Sequence, residues 1–467
     1  MKSIPGGTQF TMPIVFGVLA FAICTTSFAK EDYKLQYKNL RFDEDWYNYP
    51  RDGIGDRFDT FKKLTITDTS WVSIGGEIRV RGEAWDGFGF SDANDDEFLL
   101  QRLHLHADMH ASEHWRVFIE GRFNTVTDRD LPGGRRDALD ADYGDFWNTF
   151  IEYITETNST ELSLRVGRQE LQYGKQRLIS PLDWANNRRI FDGVVLKIAG
   201  QDSPWTFDAF ITQPVIEERR SFNDTNDDIV FGGVYFTRAL PDCGVNMDAY
   251  LLAFDSSAGM YDNERYTVGG RLFGAVPTIE NLTFEIEGAY QFGDMGEEDV
   301  SAWMVTAEAT YTFADCNMKP WVTLGFDYAS GDSDPTDGDN ETFNQLFPLA
   351  HAYLGFADVT GRQNIMDYRL TVGFWPIAKK LRFRGDIHLL QLADDMDGLY
   401  SAGGAMTRPA GTEDEVGTEI DITALYKINA HADVVVGYSH VSAGDYIEET
   451  GPDDDIDFFF AQFGFTF

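Results

Sequence analysis

The strongest constraint on the fold is an alternation of apolar and polar side chains, with a period of two, that recurs along most of the chain while no long apolar helix occurs. Its last example is Ile456-Asp457-Phe458-Phe459-Phe460-Ala461-Gln462-Phe463-Gly464-Phe465-Thr466-Phe467. An extended strand sends successive side chains to opposite faces, so such a run has one apolar and one polar face. Repeated many times, this is how a sheet closed on itself presents one side to lipid.

From Trp71 to Ala84, Val72, Ile74, Ile78 and Val80 share one face and Ser73, Glu77, Arg79, Arg81 and Glu83 the other. From Phe98 to His110, Leu99, Leu103, Leu105 and Met109 oppose Arg102, His104, His106, Asp108 and His110. After Trp115, Val117, Ile119 and Phe123 oppose Arg116, Glu120 and Arg122. Carried to the end, the same test predicts an all-β transmembrane antiparallel barrel of about 18 strands, an even number as bacterial barrels require.

The connections give an independent check. Such a barrel has short periplasmic turns and long extracellular loops. Ala111 to Glu113, Pro241 to Gly244 and Ile428 to Ala430 are tight, whereas Thr127 to Asp145, Gly331 to Gly361 and Ala393 to Val416 are long and polar. A soluble sandwich or propeller also alternates, but predicts no such short-long rhythm. Aromatics near strand ends, Trp71, Trp85, Trp115, Trp147, Tyr153, Trp205, Trp303, Tyr311, Trp321, Tyr328 and Trp375, are read as two interfacial girdles.

The apolar run Met12 to Ile23 is too short to span a bilayer and precedes Ser27-Phe28-Ala29, so residues 1–29 read as a secretory signal peptide. Residues 30–70 read as a periplasmic N-terminal lead-in and residues 71–467 as one outer-membrane barrel, placing the protein in the outer membrane of a Gram-negative bacterium. Cys243 and Cys316 fall in turns roughly 20 Å apart, beyond disulfide reach, and are expected as buried or capped thiols. The net charge of −39 lies mostly in the loops; it fits a solvated rim facing lipopolysaccharide and excludes nucleic acid as a partner.

Against that acidity the polar strand faces carry arginine: Arg79, Arg81, Arg102, Arg122, Arg165, Arg369, Arg382 and Arg384. Charge on a barrel strand looks into the lumen. The stretch from Leu164 to Gly193 adds Arg168, Lys175, Arg177, Arg188 and Arg189 around Trp184, which predicts an inward-folding loop lined with cations. Guanidinium forks bind carboxylates in bidentate fashion, as a sugar-acid polymer would need.

Leu164-Arg165-Val166-Gly167-Arg168-Gln169-Glu170-Leu171-Gln172-Tyr173-Gly174, then Arg177-Leu178, Trp184-Ala185-Asn186 and Arg189-Ile190-Phe191-Asp192-Gly193, resembles the signature of the alginate export family of outer-membrane barrels. Leu40-Arg41-Phe42-Asp43-Glu44-Asp45-Trp46 is similar to a leader in many members. The resemblance implies an arginine-lined, anion-selective pore with a lid-like loop, and maps Arg165 and Arg168 onto the motif's lumen arginines. After Gly174 the chain departs from the founding exporter and looks like a broader branch.

The expected function is therefore passive conduction of anionic solutes or an anionic, alginate-like polysaccharide, with a periplasmic export partner as a candidate. The alternative is an uptake channel for small carboxylates or oligosaccharides, which needs the same electrostatics. No ATP or nicotinamide motif appears, so no cofactor is expected. Ser163, Ser180 and Ser439 lack a nucleophile-elbow motif, so an enzyme is not expected. His104, His106 and His110 share one strand face and are candidate ligands for a transition metal.

Overall fold

A strand that leaves its backbone groups unpaired in hydrocarbon loses several kcal/mol per group, so a spanning sheet has to close. The computed structural model describes residues 37–47, 57–132, 134–201, 204–241, 243–259 and 261–467, and it shows that closure. The signal-peptide expectation and parts of the lead-in, residues 30–36 and 48–56, lie outside the described residues.

Among the described residues the wall consists of β1 (Trp71–Asp86), β2 (Asp96–His110), β3 (Trp115–Thr127), β4 (Asp142–Glu156), β5 (Thr160–Gln169), β6 (Phe191–Gly200), β7 (Trp205–Ile216), β8 (Ile229–Leu240), β9 (Val245–Ser256), β10 (Asn263–Ala275), β11 (Leu282–Met295), β12 (Glu298–Thr312), β13 (Trp321–Ala329), β14 (Ile365–Ile377), β15 (Leu381–Gln391), β16 (Glu415–Lys427), β17 (Ala432–Ala443) and β18 (Ile456–Thr466). Each pairs antiparallel with the next, and β1 pairs with β18 from Glu77↔Thr466 to Asp86↔Asp457, leaving no edge. The strand positions named in the sequence lie in these strands, except Phe467, one residue beyond β18. No described helix is long and apolar enough to cross a membrane.

One rim carries only short turns. The other carries L1 (residues 87–95), L2 (128–141), L3 (170–190), L4 (217–228), L5 (257–262), L6 (296–297), L7 (330–364), L8 (392–414) and L9 (444–455). L6, a tight turn, breaks the expected rhythm.

The outward face is apolar, with Ile78, Leu103, Ile151, Leu251, Leu324 and Ile422 exposed. Trp115, Trp303 and Tyr311 join it, as a girdle requires. Trp71, Trp85 and Trp147 do not. Trp71 stacks on His110 and Trp85 on Phe458 because odd-numbered residues of β1 face the lumen. Trp147 is turned inward by a bulge. Cys243 and Cys316 are free and exposed rather than buried, since each sits on a rim turn, where the Cys243 thiol donates to the Leu240 carbonyl (3.4 Å).

Leu324 is 63% exposed near the middle of β13. A Leu324→Arg substitution is expected to destabilise the barrel by about 2–4 kcal/mol, measured by urea titration of folding into lipid vesicles.

Candidate functional site: a constricted lumen

L3 leaves the wall where β5 ends, and a bulge prepares its departure. Ile119 pairs with Thr149 but Gly121 pairs with Phe146, so Trp147 and Asn148 together oppose Glu120. An extra residue bends a strand and re-aims its side chains. Both Trp147 and Asn148 point inward. Trp147 Nε1 donates to Glu170 Oε1 (3.1 Å), Asn148 Nδ2 donates to Glu120 and Glu170, and the Glu170 amide donates to Asn148 Oδ1. Glu170, the first residue of L3, is thereby fixed inside the barrel. Gly174, with φ of +55°, turns the loop beside the Tyr235 hydroxyl, where a side chain would be strained and crowded.

Within the lumen, arginines from the wall hold the loop. Arg79 Nη1 donates to the Asp183 carbonyl (2.6 Å) and its Nη2 to the Ala185 carbonyl (2.8 Å). Arg102 donates to the Asp183 carboxylate (2.7 Å), to the Asp183, Ala185 and Asn186 carbonyls, and to Glu77. Arg81 binds Glu83 and the Trp184 carbonyl, and its guanidinium lies 3.7 Å from the centre of the Trp184 ring. Asn186 Nδ2 reaches the Gln101, Thr125 and Asp140 carbonyls. Arg188 pairs with Glu170 (2.6 Å) and Asp183 (3.2 Å). Arg177 crosses to β11 and β12, meeting Glu285, Glu287 and Glu308.

L7 also folds inward and zips to L3. The Ser180 amide donates to the Phe347 carbonyl (2.8 Å), and the Phe347 amide to the Leu178 carbonyl (2.9 Å). His351 stacks on Trp184 with ring centres 3.7 Å apart. Arg362 of L7 binds Asp327 and the Arg177 carbonyl, while Arg189 donates to the Ser180 and Pro348 carbonyls. The two loops form one body across the lumen.

Toward the short-turn rim, the segment 37–47 enters the lumen. Phe42 packs edge-on against the inward rings Phe118 and Phe150. Its carbonyl accepts from Arg116 Nη2 (2.6 Å), and Arg41 donates to the Phe467 carbonyl. Between this segment, the start of L3 and β4–β7 lies a pocket lined in part by Arg165, Lys197, Glu152, Asp208 and Tyr173. Arg165 is forked on Glu152 and lies 4.3 Å from the ring centres of both Phe42 and Phe150. Lys197 was not singled out from the sequence. The parity of β6, with Val195 inward, places it there.

The sequence-derived cations thus divide. Arg79, Arg81, Arg102, Arg122, Arg177, Arg188, Arg189 and Arg369 are tied to acids or carbonyls. Arg122 meets Asp142 and Glu217, and Arg369 pairs with Glu308 (2.6 Å). Arg168 lies elsewhere: it shares the outward face of β5 with Leu164 and Val166, where Asp192 and the Asn223 carbonyl of L4 hold it. Lys175 (46% exposed), Arg165 (15%), Arg382 and Arg384 keep some solvent access along the lumen, although Arg165 is paired to Glu152, Arg384 to Asp386, and Lys175 lies 3.5 Å from Glu285.

The three histidines do not converge on one another. His104 pairs with Glu120 (3.5 Å), while His106 and His110 stack on Phe118 and Trp71. Among the described residues no group of three or more His, Cys, Asp or Glu side chains is arranged to hold a metal ion. Same-face neighbours on a strand are about 7 Å apart, and flat stacking keeps these rings from converging.

An edge-free barrel with an apolar belt, short turns on one rim and loops folded into its lumen defines a porin-type outer-membrane channel. The chain belongs to the alginate export family, whose model, described as "Alginate export", matches residues 70–460. In fold it is similar to Pseudomonas aeruginosa OccK5 (OpdH) and Acinetobacter baumannii OccAB2, each 12% identical with a TM-score of 0.55, covering 84% of this chain and 98% of the other. The Pseudomonas aeruginosa OpdK structure with vanillate is 11% identical, with a TM-score of 0.55 and coverage of 84% and 98%. No curated protein matches the chain.

Removing the amide of Asn186 by Asn186→Ala is expected to weaken the docking of L3 by about 1–3 kcal/mol, since three carbonyls lose a donor. Single-channel recordings in planar bilayers should then show larger and noisier conductance. Burial pushes the Glu170 carboxyl up to about 7, against the pull of Arg188. A raised value in the docked state means protonation favours docking: that contribution is fully present below the usual carboxylate range and is lost as pH rises through about 7. Open-channel noise is expected to grow from pH 6 to pH 8, and Glu170→Gln should flatten this dependence.

Proposed function

We propose that this protein is a passive channel that favours anionic solutes, small carboxylates and short acidic oligosaccharides above all, and leads them past the L3–L7 constriction. The observation that carries this reading is the set of lumen cations that keep solvent access in a chain of net charge −39: Arg165, Lys175, Lys197, Arg382 and Arg384. Cations on a narrow aqueous path raise the local concentration of anions and lower their entry barrier. The many fixed arginines have a different task. They neutralise buried acids and hold the constriction, so selectivity rests on the accessible few.

Cargo size follows from the crowding of the lumen. The segment 37–47, L3 and L7 share its cross-section, which favours small solutes. Membership of the alginate export family favours a second reading, export of an anionic polysaccharide delivered by a periplasmic partner, and this requires those segments to move aside. In either reading the work is passage rather than turnover, and the barrel wall meets lipid and lipopolysaccharide.

The test is ion selectivity in planar bilayers under a potassium chloride gradient. The unaltered channel is expected to prefer chloride, and the double variant Arg165→Ala/Lys197→Ala to shift the reversal potential toward potassium by several millivolts or more, since two of the accessible lumen charges are gone. An unchanged reversal potential removes these two residues from the assignment. A preference for potassium in the unaltered channel overturns the anionic reading. Stronger block by long oligouronates than by monomers would favour the polysaccharide.

A further inference from the structure

Because β5 ends at Gln169 and L3 turns inward, the upper part of β4 has no strand beside it on that side. L4 crosses over and fills the notch. The Tyr143 amide donates to the Arg219 carbonyl (2.9 Å), the Asn223 amide to Asp145 Oδ2 (2.8 Å), and Arg168 donates to the Asn223 carbonyl (2.9 Å). L4 is therefore part of the outer wall at the long-loop rim, and its side chains meet what the wall meets.

Two kinds of side chain result. Phe222 of L4 is 68% exposed and stacks on the outward-facing Phe146; beside them Tyr143 stacks on the outward Phe123. These four rings continue the apolar belt to its upper edge. The same loops carry cations. The Arg219 guanidinium lies 5.5 Å from the centre of the Tyr143 ring, and its Nε, a buried atom, has no acceptor. Arg135 of L2 and Arg220 of L4 are exposed, and Arg220 has no ion pair among the described residues. The acid in contact is Asp137, 2.6 Å from Arg135 Nε. An exposed pair of that kind contributes little and leaves the remaining N–H groups free.

Rings at the membrane boundary topped by forked cations suit a ligand with acyl chains below and phosphate above. We propose that Arg135, Arg219 and Arg220, over Tyr143 and Phe222, form a binding site for the phosphorylated glycolipid of the outer leaflet. A −39 chain with acidic loops otherwise repels such a headgroup, so the patch fixes where on the rim it docks. The site depends on the membrane placement of the barrel and not on the solute preference of the lumen.

The experiment is native mass spectrometry of the full-length folded barrel with bisphosphorylated lipid A, dephosphorylated lipid A and phosphatidylglycerol. Bisphosphorylated lipid A is expected to bind at least ten times more tightly than the other two, and the triple variant Arg135→Ser/Arg219→Ser/Arg220→Ser to lose that advantage. Heat-modifiable gel mobility checks that the variant is folded. Phe222→Ser, which leaves the arginines in place, is expected to weaken all three lipids alike. Equal binding of phosphorylated and dephosphorylated lipid A, equal binding of phosphatidylglycerol, or an unaltered advantage in the folded triple variant overturns the site. Reversal potentials of the triple variant should equal those of the unaltered channel, which separates this proposal from the anionic reading of the lumen.

Discussion

A peptide group in hydrocarbon has no water to turn to, and the architecture of this protein follows from that fact. The sheet must meet itself, and it does so between β1 and β18. Closure then puts half of every strand's side chains in a cavity shielded from lipid, where polar groups must find each other or water. The lumen is accordingly full of arginine and carboxylate. The charges serve first as fasteners.

The distribution of these fasteners explains why a loop as long as L3 can lie inside the barrel. A loop buried there carries backbone carbonyls that need donors. Arg79, Arg81, Arg102 and Asn124 supply them from the wall side, each planar group meeting more than one acceptor. L7 supplies two more through the Phe347 and Leu349 amides, which donate to the Leu178 and Gln176 carbonyls. Guanidinium suits this role because its several N–H groups point outward in one plane, whereas a lysine would satisfy fewer carbonyls from the same position.

The barrel was legible because its signal is repetitive: parity in β1, β2 and β3 alone shows which side chains face lipid, and the turn lengths repeat the message independently. Where the period breaks, reading by parity failed. The paired inward residues Trp147 and Asn148 come from a bulge that no local composition announces. Arg168 is a different case: the family motif assigned it to the lumen, whereas strand parity, three residues from the inward Arg165, puts it on the outward face. Trp71 and Trp85 show the opposite error, since their own strand parity already pointed inward and residue type misled. For the site, the positions of cations were readable but their partners were not. Glu285, Glu287 and Glu308 meet Arg177 across more than a hundred residues of chain, and long-range pairing of that kind exists only after folding.

The short chain stretch near the start of the described residues ties distant parts of the molecule together. Asn39 donates through its side chain to Gln172 (2.5 Å), and its carbonyl accepts from Arg188, while the neighbouring Arg41 grips the carbonyl of Phe467. A displacement of this stretch would act on the chain just after the last strand and on both ends of L3 at once. The stretch thus joins the inward-folded loop to the C-terminal residue by a route that does not run through the wall.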